Sequence, residues 1–166
     1  MKKLTINKIF LVLFFLELSP SLSLLADNEK ILSEDENEDK TKEVFNFYLK
    51  ITDSLISADT QLASLSAKGL LSFLEGDSDL ILKIKTNAKS IAMSKDIGKQ
   101  RKAFSQLSDA MYELLKGSEK EGIIYRQFCP MAFNKKGAFW LSEKKEINNP
   151  YFGKPMLRCG STKEEF

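Results

Sequence analysis

Apolar residues recur at helical spacing almost throughout residues 40–118. Val44, Tyr48, Ile51 and Leu55 fall on one stripe, flanked by Phe45, Leu49 and Ile56. A second stripe carries Leu62, Leu65, Leu70, Phe73 and Leu74 and stops at Gly76. A third holds Leu80, Ile84, Ala88 and Ile91, and a fourth holds Ile97, Phe104, Leu107, Met111, Leu114 and Leu115, ending near Gly117. Such spacing puts the apolar side chains on one face of each helix. Ser57 or Asp59 can cap the second helix, Asp77 or Ser78 the third, and Ser94 or Asp96 the fourth. The connections are short, as antiparallel helix neighbours require. The pattern predicts an all-α chain built on an up-down four-helix bundle. Gly69, inside the second helix, marks a close approach to another helix. Met93 and Met111 read as core packing.

From Gly122 the pattern changes. Ile123 to Phe128 and Ala138 to Leu141 read as short extended runs, and Met156 to Cys159 as a third. Asn134 to Gly137 is a turn in which Gly137 is free to take positive φ. Pro150 biases Asn149 away from helix. The expectation is a small irregular or minimal-β lobe over residues 122–163, joined to the bundle of 40–118 in a single domain, 40–163.

The N-terminus reads as a removed export signal, residues 1–26. Lys2, Lys3 and Lys8 are basic, Ile9 to Leu16 is an uncharged apolar run, and Ser19 to Ala26 supplies small residues for cleavage. The run is too short to span a bilayer. A periplasmic or secreted location follows. Asp27 to Asp39 holds seven acids and one Lys, a composition expected of a disordered acidic linker. The whole chain has 25 basic and 23 acidic residues; without residues 1–26 there are 22 of each. No nucleic-acid affinity is implied, and no membrane span remains after signal removal.

There is no histidine. That excludes His-dependent triads and His-ligated zinc. Gly98-Lys99 lacks the upstream glycine of a phosphate loop, and no nucleophile has a recognisable base beside it. The chain is read as a non-enzyme.

Both cysteines, the single Trp and three of the four prolines lie in the last third. Cys129 and Cys159 are thirty residues apart, so neither a CxxC redox motif nor a zinc knuckle is present. Cys129 and Met131 alternate and would share a face in an extended strand. Met156 and Cys159 are three apart, close enough for a turn to converge them. Two thiolates and two thioethers form a soft site suited to Cu(I) or Ag(I). The bland alternative is a Cys129–Cys159 disulfide, which would stabilise the fold by roughly 3–4 kcal/mol in the chain-entropy description. Trp140, Tyr151 and Phe152 are either an aromatic wall beside the sulfurs or the core of a lobe poor in aliphatics. Arg101 lies beside the fourth stripe and is expected to pair with Asp53 as a partly buried structural ion pair.

Several runs resemble a family. Phe47 to Ile56 is similar to its first helix and Gln100 to Ser108 to its last. Cys129-Pro130-Met131-Ala132, Trp140-Leu141-Ser142, Asn149-Pro150-Tyr151-Phe152-Gly153 and Met156-Leu157-Arg158-Cys159-Gly160 resemble its C-terminal signature. The family is an exported bacterial domain of unknown function, found alone and attached to CusB-like adaptor subunits of heavy-metal efflux pumps. The resemblance implies an envelope location and an association with copper or silver handling. Two functions remain open. One is soft-metal binding, or assistance to a heavy-metal efflux system, through the Cys/Met lobe. The other is a structural or interaction domain, its lobe held by the disulfide, that docks on an envelope partner.

Overall fold

The computed structural model describes residues 21–116 and 122–166, with side chains from residue 39 onward. The expected signal up to residue 20, and the end of the fourth helix near Gly117, lie outside the described residues. From Glu34 to Phe166 the chain forms one compact unit.

Four helices come first: α1 (Ser21–Ile56), α2 (Thr60–Phe73), α3 (Asp79–Met93) and α4 (Ile97–Lys116). The starts of α2, α3 and α4 are set by side-chain caps that satisfy otherwise orphaned N–H groups. Asp59 accepts from Gln61 and Leu62, Ser78 from Ile81, and Asp96 from Lys99. The residues expected as an acidic linker, 27–39, are helical as part of α1. Glu and Lys propagate a helix well once a packed segment nucleates it.

The stripes account for most of the core. Val44, Tyr48, Ile51 and Leu55 of α1 are buried, as are Ile84, Ala88 and Ile91 of α3 and Phe104, Leu107, Met111 and Leu115 of α4. The second stripe is partly wrong. Helix α2 buries Ala63, Ser66, Ala67 and Leu70, while Leu62 is 48% and Leu65 65% exposed. Small residues on that face allow a close approach. The ring of Phe47 lies against Gly69, where any Cβ would collide with it. Met93, expected in the core, ends α3 and is 86% exposed.

After α4 comes a three-stranded antiparallel sheet: β1 (Tyr125–Cys129), β2 (Ala138–Ser142) and β3 (Ser161–Glu165), in the order β2-β1-β3. The turn between β1 and β2 carries left-handed Phe133, Asn134 and Lys135 and closes on Gly137 at φ 79. The third strand is not Met156 to Cys159. Met156 ends a 3₁₀ turn, Lys154–Met156, and Leu157 and Arg158 continue as a turn; the fixed φ of Pro155 suits the first turn of such a helix. The polar run Ser161–Glu165 supplies the strand instead.

Strand β2 is an edge, and α1 and α4 cover it. The Leu141 N–H donates to the Tyr48 hydroxyl at 2.9 Å. Tyr48 in turn donates to Ser108 Oγ at 2.8 Å, and Ser108 donates to the Phe104 carbonyl. One buried hydroxyl thus joins α1, α4 and the sheet, and an exposed row of edge groups is avoided. On α4, Tyr112 stacks on Arg126 of β1, whose guanidinium carbon sits 3.9 Å from that ring and 4.0 Å from the Phe139 ring.

Candidate functional site

The sheet register brings the cysteines together. Phe128 of β1 pairs with Ser161 of β3. The next residue of β1 is Cys129, and Cys159 lies two residues before Ser161. Their sulfurs are 3.7 Å apart, and both are free thiols. Cys129 is fully buried, whereas Cys159 is partly exposed.

Cys159 is held from two sides. Its N–H donates to the Met156 carbonyl at 3.0 Å. Its own carbonyl accepts from Asn149 Nδ2 at 2.7 Å. Asn149 is wholly buried and organises the loop. Its N–H donates to the Leu157 carbonyl, its Oδ1 accepts from Tyr151 N–H, and its carbonyl accepts from Gly153 N–H. The sequence showed Asn149 as the residue before a proline and as part of a run that resembles the family's C-terminal signature. Its role as the anchor beneath Cys159 was not legible there. Arg158 fixes the outer side of the same loop through Glu146 at 2.6 Å, the Ile147 carbonyl and Asn148.

The two methionines differ. Met156 is half-buried and linked to Cys159 by the backbone bond just described. Met131 lies past the end of β1, in the helical region at φ −89 and ψ −12, and is 39% exposed. The alternation expected for Cys129 and Met131 therefore does not hold, because the strand stops at Cys129.

Trp140 and Tyr151 belong to the main core, at 1% and 5% exposure. Their rings meet edge to face at 6.0 Å, and Tyr151 also packs on Phe104 and Phe133. The Tyr151 hydroxyl donates to the Phe139 carbonyl. Phe152 is half-buried and, among the described residues, makes no ring contact with either. The indole edge does reach the site, since Trp140 borders Gly160, the neighbour of Cys159.

Arg101 does not pair with Asp53, which faces solvent. Its Nε donates to the Pro150 carbonyl at 2.8 Å and its Nη2 to the Leu55 carbonyl at 3.0 Å. The second bond places positive charge at the C-terminal end of α1, where carbonyls lack partners.

Chemically, the site offers two sulfurs. Burial, then the adjacent Cys129 thiol, pushes the Cys159 thiol up from its ordinary value. Among the described residues no group of three or more His, Cys, Asp or Glu gathers as a metal site.

No helix among the described residues is long and apolar enough to cross a membrane. No match to the chain was found among curated proteins or among solved structures. A family model described as a protein of unknown function (DUF3347) matches residues 44–122, and that stretch, which starts within α1 and includes α2, α3 and α4, is therefore read as a domain of unknown function.

Proposed function

We propose that the chain is an exported envelope protein whose lobe binds Cu(I) or Ag(I) through Cys129 and Cys159, in the service of heavy-metal efflux. The observation that carries this is the pair of free sulfurs 3.7 Å apart. Thiolates are soft donors and select soft monovalent ions over calcium or magnesium. Met156 is the third donor in this reading. Trp140 and Asn149 hold the loop that carries Cys159, and the half-exposed Cys159 faces the route of entry. The export signal read in residues 1–26 supports the envelope location. The resemblance to domains attached to CusB-like adaptors supports the efflux role, and such an adaptor is the proposed partner. The four helices serve as a rigid up-down bundle, a reading supported by their connections and by the packing of α2 on α3 and of α3 on α4.

The test is a competition titration of the reduced chain against a chromophoric Cu(I) chelator. About one Cu(I) per chain should leave the chelator, and Cys129→Ala or Cys159→Ala should abolish uptake, because thiolates are the dominant donors. Reduced wild type that leaves all the Cu(I) with the chelator overturns the proposal.

A further inference from the structure

We propose that Cys129 and Cys159 also close reversibly into a disulfide by a fixed order of attack, with Cys159 as the entry thiol and Cys129 as the resolving thiol, and that closure shuts the metal site. The last clause rests on the function proposed above; the order of attack does not. Three observations carry it. The sulfurs are 3.7 Å apart as free thiols. Cys129 is wholly buried while Cys159 is partly exposed. The chain has no third cysteine to compete for either partner.

The chemistry is thiol–disulfide exchange with an external low-molecular-weight disulfide. The Cys159 thiolate attacks one sulfur of that disulfide. A protein–small-molecule mixed disulfide forms, and the first small thiol leaves and takes up a proton. Cys129 then loses its proton and attacks Cys159 Sγ. The Cys129–Cys159 bond forms, and the second small thiol leaves. Two protein thiols and one external disulfide give one protein disulfide and two small thiols. The external disulfide is reduced by two electrons and the protein is oxidised by two. Access sets the order, because an external reagent reaches only the exposed sulfur. In the closed state neither sulfur is a thiolate, so the site loses the donors that select Cu(I).

Oxidised glutathione is the probe, added to the reduced full chain, with acid quenching and alkylation at timed intervals and peptide mass spectrometry. Wild type should end two hydrogens lighter, with a transient adduct on Cys159 only. Cys129→Ala should stop at a stable Cys159 adduct. Cys159→Ala should react at least about tenfold more slowly, because thiol reactivity follows exposure. Alkylation of reduced wild type by a neutral reagent needs no variant and should modify Cys159 before Cys129. Modification of Cys129 first, or a wild-type adduct that never closes, overturns the order. The gate is read separately, by titrating oxidised and reduced wild type with Cu(I). Closure should weaken binding at least about a hundredfold, since both thiolates are lost. Equal binding by the two forms overturns the gate and leaves metal binding itself standing. No binding by the reduced form overturns the metal function together with the gate, while the order of attack is still decided by the adduct and alkylation results.

Discussion

Arg101 of α4 donates to the carbonyl of Pro150 across 2.8 Å, and the same guanidinium donates to Leu55 at the end of α1. One side chain therefore ties the lobe, the first helix and the fourth helix together. Both acceptors are backbone oxygens with fixed positions, which suits the planar fork of arginine better than an ammonium.

Replacing Arg101 with Ala should destabilise the chain by about 2–3 kcal/mol, the range for charge-assisted bonds to partly buried groups. Arg101→Lys should recover less than half of that loss, because one ammonium cannot reach both carbonyls in the same geometry. Urea unfolding monitored by Trp140 fluorescence measures both. Equal stability of Arg101→Lys and wild type would show that charge alone is used.

Gly153 gives a second prediction at the same junction. It sits at φ 63, and a Cβ there would stand 2.6 Å from the Ile56 carbonyl oxygen and 3.2 Å from Arg101 Nη2. Gly76 is also left-handed, at φ 81, but has nothing within 4 Å. Gly76→Ala should cost only about 1–2 kcal/mol, the conformational term. Gly153→Ala adds a clash with backbone and should cost at least about 3 kcal/mol, since overpacking alone is worth roughly 1–3. The comparison of unfolding midpoints separates backbone conformation from close packing. If the two variants are equally stable, the lobe does not press on the end of α1.

Tyr48 predicts the alkaline limit of stability. Burial raises its phenol, and that of Tyr151, well above the ordinary value. In the unfolded chain both titrate near about 10. The folded state therefore retains protons that the unfolded state loses. Stability is complete below about pH 10 and falls as pH rises above it. Tyr48→Phe should flatten that fall. It should also lower stability at neutral pH by about 1–3 kcal/mol, because the Leu141 N–H loses its buried acceptor. Unfolding free energies at pH 8 to about 11 check both effects. An unchanged alkaline slope in the variant would remove Tyr48 from the linkage.

The helical part was legible because packing there repeats along the chain. Tyr48, Ile84 and Phe104 announce themselves by position in a stripe. Helix α2 misled because its close face is built of Ala63, Ser66 and Ala67, which carry little hydrophobic signal, while Leu62 and Leu65 stand outside. The sheet was half legible. Strands β1 and β2 have apolar content, but Ser161–Glu165 is polar throughout and is strand only because β1 offers it an edge. Two buried glutamines were missed. The Gln100 amide nitrogen donates to the carbonyls of Thr60, Ile91 and Ser94, joining the ends of three helices. Gln127 serves Lys144, Lys145 and Glu146 in the same way. A lone glutamine in a polar stretch has no pattern to betray that it is buried. The closeness of the cysteine pair was expected, because the metal and the disulfide readings both need it, and the sulfurs do lie 3.7 Å apart; the strand register that delivers it was not legible.

The last prediction concerns the thioethers. Met156 is bonded through its carbonyl to the Cys159 N–H and is half-buried, whereas Met131 lies beyond the strand and is 39% exposed. If Met156 completes the soft site, Met156→Leu should weaken Cu(I) binding by about tenfold, equivalent to about 1.4 kcal/mol. Met131→Leu should change it by less than about twofold, within the error of such a titration on this scale. Leucine conserves volume and typically costs under about 1.5 kcal/mol in a core, so unfolding midpoints should stay close to wild type and separate ligand loss from misfolding. Equal silence of both variants would leave the two thiolates as the only side-chain donors. Weakening by Met131→Leu alone would mean that the ion approaches from the β1 turn, and the assignment of Met156 would fall. Competition titrations of the two variants and wild type against the same Cu(I) chelator decide among these outcomes.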